Sequence, residues 1–241
     1  MKKGIIIIDR GFGFIRPYVQ AALEAGTLVH TVFPDADAPD VAVMLSTTDV
    51  YAPGKPTVLA GENSAVDPAH PRVKAEQDFL AECACRGIRG VVLRCAPVVG
   101  TGMDGFVRNL ASDIWRGIFF HFPANDTRMS VVHATDVAAA IRKFAEGADV
   151  AHGTVLNLTD GANPTLHDLA EALAFRMNEK RISTLSTRPQ QMIGRWLYGS
   201  KYRAWTTERT FDGSAACRIL GLTPTPVCDY LRTHTYDETS L

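Results

Sequence analysis

Five cysteines and seven histidines are the side chains from which nucleophilic, redox or metal-assisted chemistry would be assembled, and their spacing assembles none of it. Only Cys83 and Cys85 stand close together, and their one-residue gap matches neither the usual zinc nor the usual redox pattern. Cys83 and Cys95 fall on core-facing positions and read as buried thiols. The histidines are scattered, with no pair at metal-ligand spacing. His133 ends a predicted strand, where its ring is placed to hydrogen-bond the turn at Thr135-Asp136. Asp136 is an acid at a helix start, a position the helix dipole favours without any function. No Gly-x-Ser-x-Gly elbow is present, so hydrolase chemistry has no support. What remains is a glycine turn, Gly11-Phe12-Gly13, directly after the apolar run Ile5-Ile6-Ile7-Ile8. Its meaning depends on the elements around it.

The chain has 241 residues, 46% hydrophobic and 21% charged, enough for one large domain or one domain with a small lobe around a proper core. Lys plus Arg total 25 against 26 for Asp plus Glu, a net charge of −1. No basic surplus exists to grip a phosphate backbone, which argues against nucleic acid as a partner. The apolar runs are far too short to cross a bilayer, and Met1-Lys2-Lys3-Gly4 leads into them with no signal-peptide cleavage pattern. The expectation is a reduced, cytoplasmic protein without a membrane partner.

Lys3 to Asp9 reads as a short buried strand, since its apolar run is too continuous for a half-exposed one. Pro17 opens a helix that Gly26 closes. Strands follow at Thr27 to Phe33 and Val41 to Ser46. The spacing of Phe79, Leu80 and Cys83 predicts a helix from Lys74 to Arg86, stopped by Gly87. Gly90 to Cys95 is a strand, and Met103, Phe106, Val107, Leu110, Ile114 and Trp115 trace one helical face. A strand at Ser130 to His133, a helix after Asp136, a strand at Thr154 to Leu158 and a helix capped by Thr165 complete the alternation. Strands alternating with helices predict an α/β fold, a doubly wound parallel sheet covered on both faces. We divide the chain into a Rossmann-like core, 1–160, with 101–130 contributing to the substrate side, and a small, mostly helical substrate lobe, 161–241. Trp196, Tyr198, Tyr202 and Trp205 fall in this lobe and read as its core aromatics more readily than as a pocket lining.

Taken in order, six segments resemble the extended short-chain dehydrogenase/reductases, the group of NAD-dependent nucleotide-sugar epimerases and dehydratases. Gly11-Phe12-Gly13-Phe14-Ile15 resembles their phosphate-binding turn, and Ser46-Thr47-Thr48-Asp49-Val50-Tyr51 their Ser/Thr-rich strand end. Pro68-Ala69-His70-Pro71-Arg72-Val73-Lys74 sits where the family's Tyr-x-x-x-Lys falls. Leu93-Arg94-Cys95-Ala96-Pro97-Val98-Val99-Gly100 is similar to the strand and loop at the nicotinamide end, Val132 to Ala138 to the next helix entry, and Phe211-Asp212-Gly213-Ser214 with Leu220-Gly221 and Pro224 to the C-terminal signature. The resemblance implies NAD or NADP as cofactor, a small-molecule substrate of the nucleotide-sugar kind and a homodimer through helix Lys74 to Arg86. It implies that Gly11, Phe12, Gly13, Phe14, Ile15, Arg16, Ser46, Lys74, Pro97 and Val99 contact the cofactor. Catalysis would fall to Thr47, which orients the substrate oxygen, His70, which exchanges its proton, and Lys74, which holds the ribose.

Three departures stand beside the match. Arg10 and Arg16 occupy the first and third glycine positions of the phosphate turn, and Arg16 can pair with a phosphate or simply meet solvent. Only 32 residues separate Ile8 from Val41, room for about one βαβ unit, so the first half of the sheet is shortened. The acidic ribose partner expected about 20 residues beyond the glycines would be Asp35 or Asp37, both ordinary turn residues too. His70 replaces the tyrosine; an imidazole with reference pKa about 6.5 can exchange a proton near neutrality, and a neighbouring Lys74 would favour its neutral form. These departures support the alternative of a non-catalytic descendant that binds a nucleotide, metabolite or protein as a sensor.

Overall fold

The computed structural model describes residues 4–9, 11–33, 39–52, 59–103, 105–121, 127–178, 182–184, 194, 196, 199, 202 and 207–233. Five strands form a wholly parallel sheet. They are β1 (Ile5–Ile8), β2 (Val29–His30), β3 (Val41–Thr47), β4 (Arg89–Cys95) and β8 (Thr154–Leu158), in the order β2-β1-β3-β4-β8. Between β4 and β8 in the chain lie β5 (Val98–Val99), β6 (Phe120–His121) and β7 (Val132–His133). β5 pairs with β7, and β6 with β9 (Ser183–Thr184). Seven helices are described: α1 (Arg16–Ala22), α2 (Pro71–Cys85), α3 (Gly105–Trp115), α4 (Ala134–Ala145), α5 (Leu166–Arg176), α6 (Ser214–Leu220) and α7 (Val227–Thr233).

The unbroken apolar runs have a direct cause: each central strand is buried on both faces. Ile5 and Ile7, Val41, Val43 and Leu45, and Val91, Leu93 and Cys95 join the core beneath α1, α4 and α6. Their alternates Ile6, Ala42, Met44 and Val92 join Phe79 and Cys83 of α2 on the other face. The fold is therefore the expected doubly wound α/β sheet. A further core, built from Val107, Leu110, Leu169, Leu173, Val227 and Leu231, holds α3, α5 and α7 together.

Several local expectations recur in detail. α2 ends before Gly87, whose φ of +67° suits a residue without a side chain. Thr165 and Asp168 close a reciprocal capping box on α5. His133 Nδ1 accepts the Thr135 N–H at 3.3 Å and so caps α4. Other boundaries moved. α1 ends at Ala22, and Gly26 lies in the turn beyond it, while the strand expected at Thr27 to Phe33 pairs only at Val29–His30. Among the described residues, β2 has no neighbour in the sheet beyond its two pairs with β1. Trp115 closes α3 but is 62% exposed, because the helical face of Val107, Leu110 and Ile114 carries it past the core. Among the described residues no helix is long and apolar enough to cross a membrane, and no group of three or more His, Cys, Asp or Glu side chains could hold a metal ion.

The thiols offer a simple check on this packing. Burial pushes the Cys95 thiol up to about 12 and the Cys83 thiol, helped by Glu82, up to about 11, whereas Cys85 is exposed. A thiolate is the reacting species, so a thiol reagent at pH 8 is expected to label Cys85 first and to reach Cys83 and Cys95 only after denaturation. Mass mapping of early adducts checks this; prompt labelling of Cys95 would contradict its place in the sheet.

Candidate functional site

Ligands of open α/β sheets bind outside the carboxyl ends of the strands, where the strand order reverses. Here β2 lies on one side of β1 and β3 on the other, so the reversal falls at β1–β3, with Ile8 paired to Met44. The chain leaves β1 through the glycine turn. Gly11 has a φ of +83°, a conformation that L side chains rarely adopt. The Phe12 N–H donates to the Asp9 carbonyl at 2.6 Å and the Ile15 N–H to the Phe12 carbonyl at 2.9 Å, closing the single 3-10 turn Gly13–Ile15 that leads into α1. A Cβ on Gly13 would meet nothing within 4 Å among the described residues, so the backbone there is open to approach. Phe12 and Phe14 pack partly against the core, and Ile15 is buried within it. Arg16 turns back to Asp9, with Nε and Nη2 on the two carboxylate oxygens at 2.7 and 3.2 Å. Its fork is thus spent on a carboxylate of its own chain.

The remaining sequence candidates are distributed along the same edge. Ser46 is fully buried, and its hydroxyl has no hydrogen-bond partner among the described residues. Thr47 ends β3, and its Oγ1 accepts the Asp49 N–H at 3.2 Å, capping the short 3-10 helix Thr48–Val50. His70 caps α2: its Nδ1 accepts the Arg72 N–H at 3.3 Å, which places the proton of a neutral ring on Nε2. Lys74 stands on the exposed side of α2, 3.3 Å from Asp78. Pro97 is half-buried, with its carbonyl accepting the Val132 N–H, and Val99 is buried in the core of α3, α5 and α7. Arg10, Asp35, Asp37, Tyr198 and Trp205 lie outside the described residues, while Trp196 is 84% exposed and Tyr202 buried.

One residue that the sequence reading passed over does reach the turn. Arg72 lies two positions before Lys74, about 200° away around the helix. Its Nη2 is 2.9 Å from where a Cβ on Gly11 would sit, and its guanidinium carbon lies 5.7 Å from the centre of the Phe12 ring. Helical phase was the signal that could have separated the two cations.

Behind the edge lies a buried polar network that no local pattern announced. Register places Ser46, Arg94 and Asn157 side by side across β3, β4 and β8. Arg94 donates to both oxygens of Glu76 on α2, at 2.7 Å from Nη2 and 3.2 and 3.3 Å from Nε. Its guanidinium carbon also lies 4.9 Å from the Tyr51 ring centre. The Tyr51 hydroxyl donates to Asn157 Oδ1 at 2.7 Å, and Asn157 Nδ2 donates to the carbonyls of Ala60 and Asp212. Burial works against the charge on Arg94, and Glu76 and Tyr51 more than offset it. The Tyr51 phenol is pushed up by burial against the pull of Arg94. This phenol is therefore a structural donor at neutral pH rather than a ready acid.

Two further carboxylates, one on α4 and one just beyond β8, fasten the chain at the start of α7. Asp136 accepts from the Thr225 N–H and Oγ1 at 2.8 and 3.0 Å, and Asp160 accepts from the Val227 N–H at 3.2 Å. Burial pushes both carboxyls above the ordinary range, opposed by these hydrogen bonds. Both are committed to holding backbone.

No protein-family model matches the chain, and no curated protein matches it. Solved structures do. UDP-glucose 4-epimerase from Thermotoga maritima, determined with UDP-glucose, shares 16% identity over 95% of this chain and 96% of that one, with a TM-score of 0.64. A human epimerase family protein with NADPH shares 14% identity over 95% and 98%, with a TM-score of 0.66. UDP-glucuronic acid 4-epimerase from Bacillus cereus, in complex with NAD, shares 17% identity over 80% of this chain, with a TM-score of 0.60, and the chain spans 60% of its length. These likenesses show the fold: a shortened form of the Rossmann-type α/β fold of the NAD-dependent epimerases and dehydratases.

Proposed function

We propose that this chain binds NAD(H) or NADP(H) along the carboxyl edge of its sheet and acts by hydride transfer on a small hydroxyl or carbonyl substrate of the nucleotide-sugar kind. The observation that carries the reading is the left-handed turn at Gly11, at the point where the strand order reverses, followed by the open backbone at Gly13. That cradle fits a pyrophosphate, because close approach to backbone is what glycine permits. The nicotinamide, when bound, supplies a carbon that gives or takes a hydride. The chain's own part is positioning and proton handling. His70 Nε2 holds the proton exchanged with the substrate oxygen, its tautomer set by the helix cap. Thr47 orients that oxygen once its hydroxyl leaves the Asp49 N–H, and Lys74 reaches the ribose once it parts from Asp78. In this reading 1–160 hold the dinucleotide, 161–241 form the substrate lobe, and two copies of this cytoplasmic protein pair through the exposed side of α2.

A second reading, binding without turnover, is favoured by one specific observation. Thr47 Oγ1 and His70 Nδ1 are both engaged in capping, and Lys74 is engaged with an acid on its own helix. Titration with NAD, NADH, NADP and NADPH by calorimetry and thermal melting tests the shared premise. A dinucleotide at 100 times its dissociation constant is expected to add about 2.7 kcal/mol, a melting shift of roughly 5–10 °C. No heat and no shift with any of the four would overturn the cofactor assignment. Binding with no turnover across a panel of nucleotide sugars would favour the second reading, and full turnover in a His70→Ala protein would remove that ring from the scheme.

A further inference from the structure

Among the described residues three cations stand near the glycine turn, and they are not equivalent. Arg16 is held by both oxygens of Asp9, and Lys74 is paired with Asp78 on the outer side of α2. Of the three, Arg72 has its head group against the turn, 2.9 Å from the position of a Gly11 Cβ and over the ring of Phe12. Gly11 has no side chain, and that absence is what admits the guanidinium.

We propose that Arg72 is the anion receptor of this site and takes the pyrophosphate of a nucleotide ligand in bidentate fashion. The inference rests on the dinucleotide reading and deepens it. A glycine-rich turn grips phosphate through backbone N–H groups, which requires the ligand to come close at each glycine. Here a bulky arginine stands at the third of those positions and is occupied by Asp9, so part of the backbone grip is replaced. A guanidinium presents a planar fork that matches two phosphate oxygens, and stacking on an aromatic ring restricts where that fork can point. Arg72 also stems from the first turn of α2, whose start is fixed by Pro71 and the His70 cap, so its base is held while its head reaches across to the turn after β1. The site thus recognises a diphosphate through a side chain of α2 instead of through its own loop alone.

The test compares wild type with Arg72→Met, which keeps an apolar stem over Phe12, and with Arg72→Lys. Arg142→Met, a surface cation paired with Glu146, serves as the control. Ligand-free melting temperatures establish that each variant is folded. Arg72→Met is expected to weaken NAD(P)(H) and ADP-ribose by about 10- to 100-fold, the loss typical of a charge-assisted pair. Arg72→Lys should recover part of that, and Arg142→Met should bind as wild type does. Unchanged or tighter binding in Arg72→Met overturns the proposal, tighter binding meaning that the arginine plugs the cradle. If wild type binds no dinucleotide, the cofactor reading fails on its own, and inorganic pyrophosphate titrated into the same proteins decides the role of Arg72. Binding by wild type that is lost in Arg72→Met supports it; equal binding, or none, overturns it.

Discussion

Arg94→Met is expected to destabilise the protein by about 3–5 kcal/mol, because it strands the Glu76 carboxylate in a site that water does not reach. The two side chains are 7% and 5% exposed, and their contact is a fork of three donor–acceptor distances between 2.7 and 3.3 Å. Burying either charge alone is costly, and each is tolerated because the other is present. Glu76→Gln should cost a similar amount by leaving the guanidinium uncompensated. The double variant, Arg94→Met with Glu76→Gln, removes both charges and should recover much of the loss, which gives a coupling energy of the opposite sign. Urea unfolding of the four proteins checks the cycle, and thermal unfolding should show a fall in melting temperature of roughly 6–20 °C for each single variant. Additive losses would mean that the two groups do not depend on one another.

Asn157→Ala comes second in size. Asn157 is fully buried in β8 and satisfies three groups at once: the Tyr51 hydroxyl and the carbonyls of Ala60 and Asp212. Truncation takes the Asn157 bond from the Tyr51 hydroxyl and the Asp212 carbonyl, each at about 1–3 kcal/mol though the sum is not strictly additive, while the Ala60 carbonyl keeps the Asp212 N–H at 2.9 Å. A net loss of about 3–5 kcal/mol is expected. Tyr51→Phe removes one of these bonds and keeps the ring stacked on Phe211 at 5.5 Å, so it should cost only about 1 kcal/mol. Chemical denaturation of both variants checks the ranking. Equal costs for the two would show that the Asn157 bonds to backbone add nothing. The consequence for function is positional: these bonds tie the segments at Ala60 and Asp212 to the strand ends that border the proposed site.

Much of the fold was legible because it is written locally. An apolar run four or more residues long, bounded by glycines and helix starts, has few ways to be buried other than as a strand of a parallel sheet, and β1 and β3 follow that pattern, whereas Arg94 and Asn157 interrupt shorter runs in β4 and β8. The glycine at 87 and the capping box at Thr165 and Asp168 act within a turn of chain and need no distant partner. Where the outcome depended on what lies across the core, local reasoning had nothing to work with. Trp115 follows the apolar spacing of α3 yet emerges at the surface, about 100° around the helix from the buried Ile114.

The same division runs through the site. The sequence by itself determined where the turn falls, that glycines form it, and that a hydroxyl-bearing strand end and a cation-bearing helix follow in order. Only the tertiary structure decided which cation meets the turn, since Arg72 and Lys74 differ by two positions in sequence but by more than half a revolution around α2. It also decided that Arg16 folds back on Asp9, and that Tyr51, Glu76, Arg94 and Asn157 share one buried site although 106 positions separate the first from the last. The physical reason is that hydrogen bonds and ion pairs gain most where water is excluded, and which groups are excluded together is settled by the register of β3, β4 and β8 and by the docking of α2 upon them.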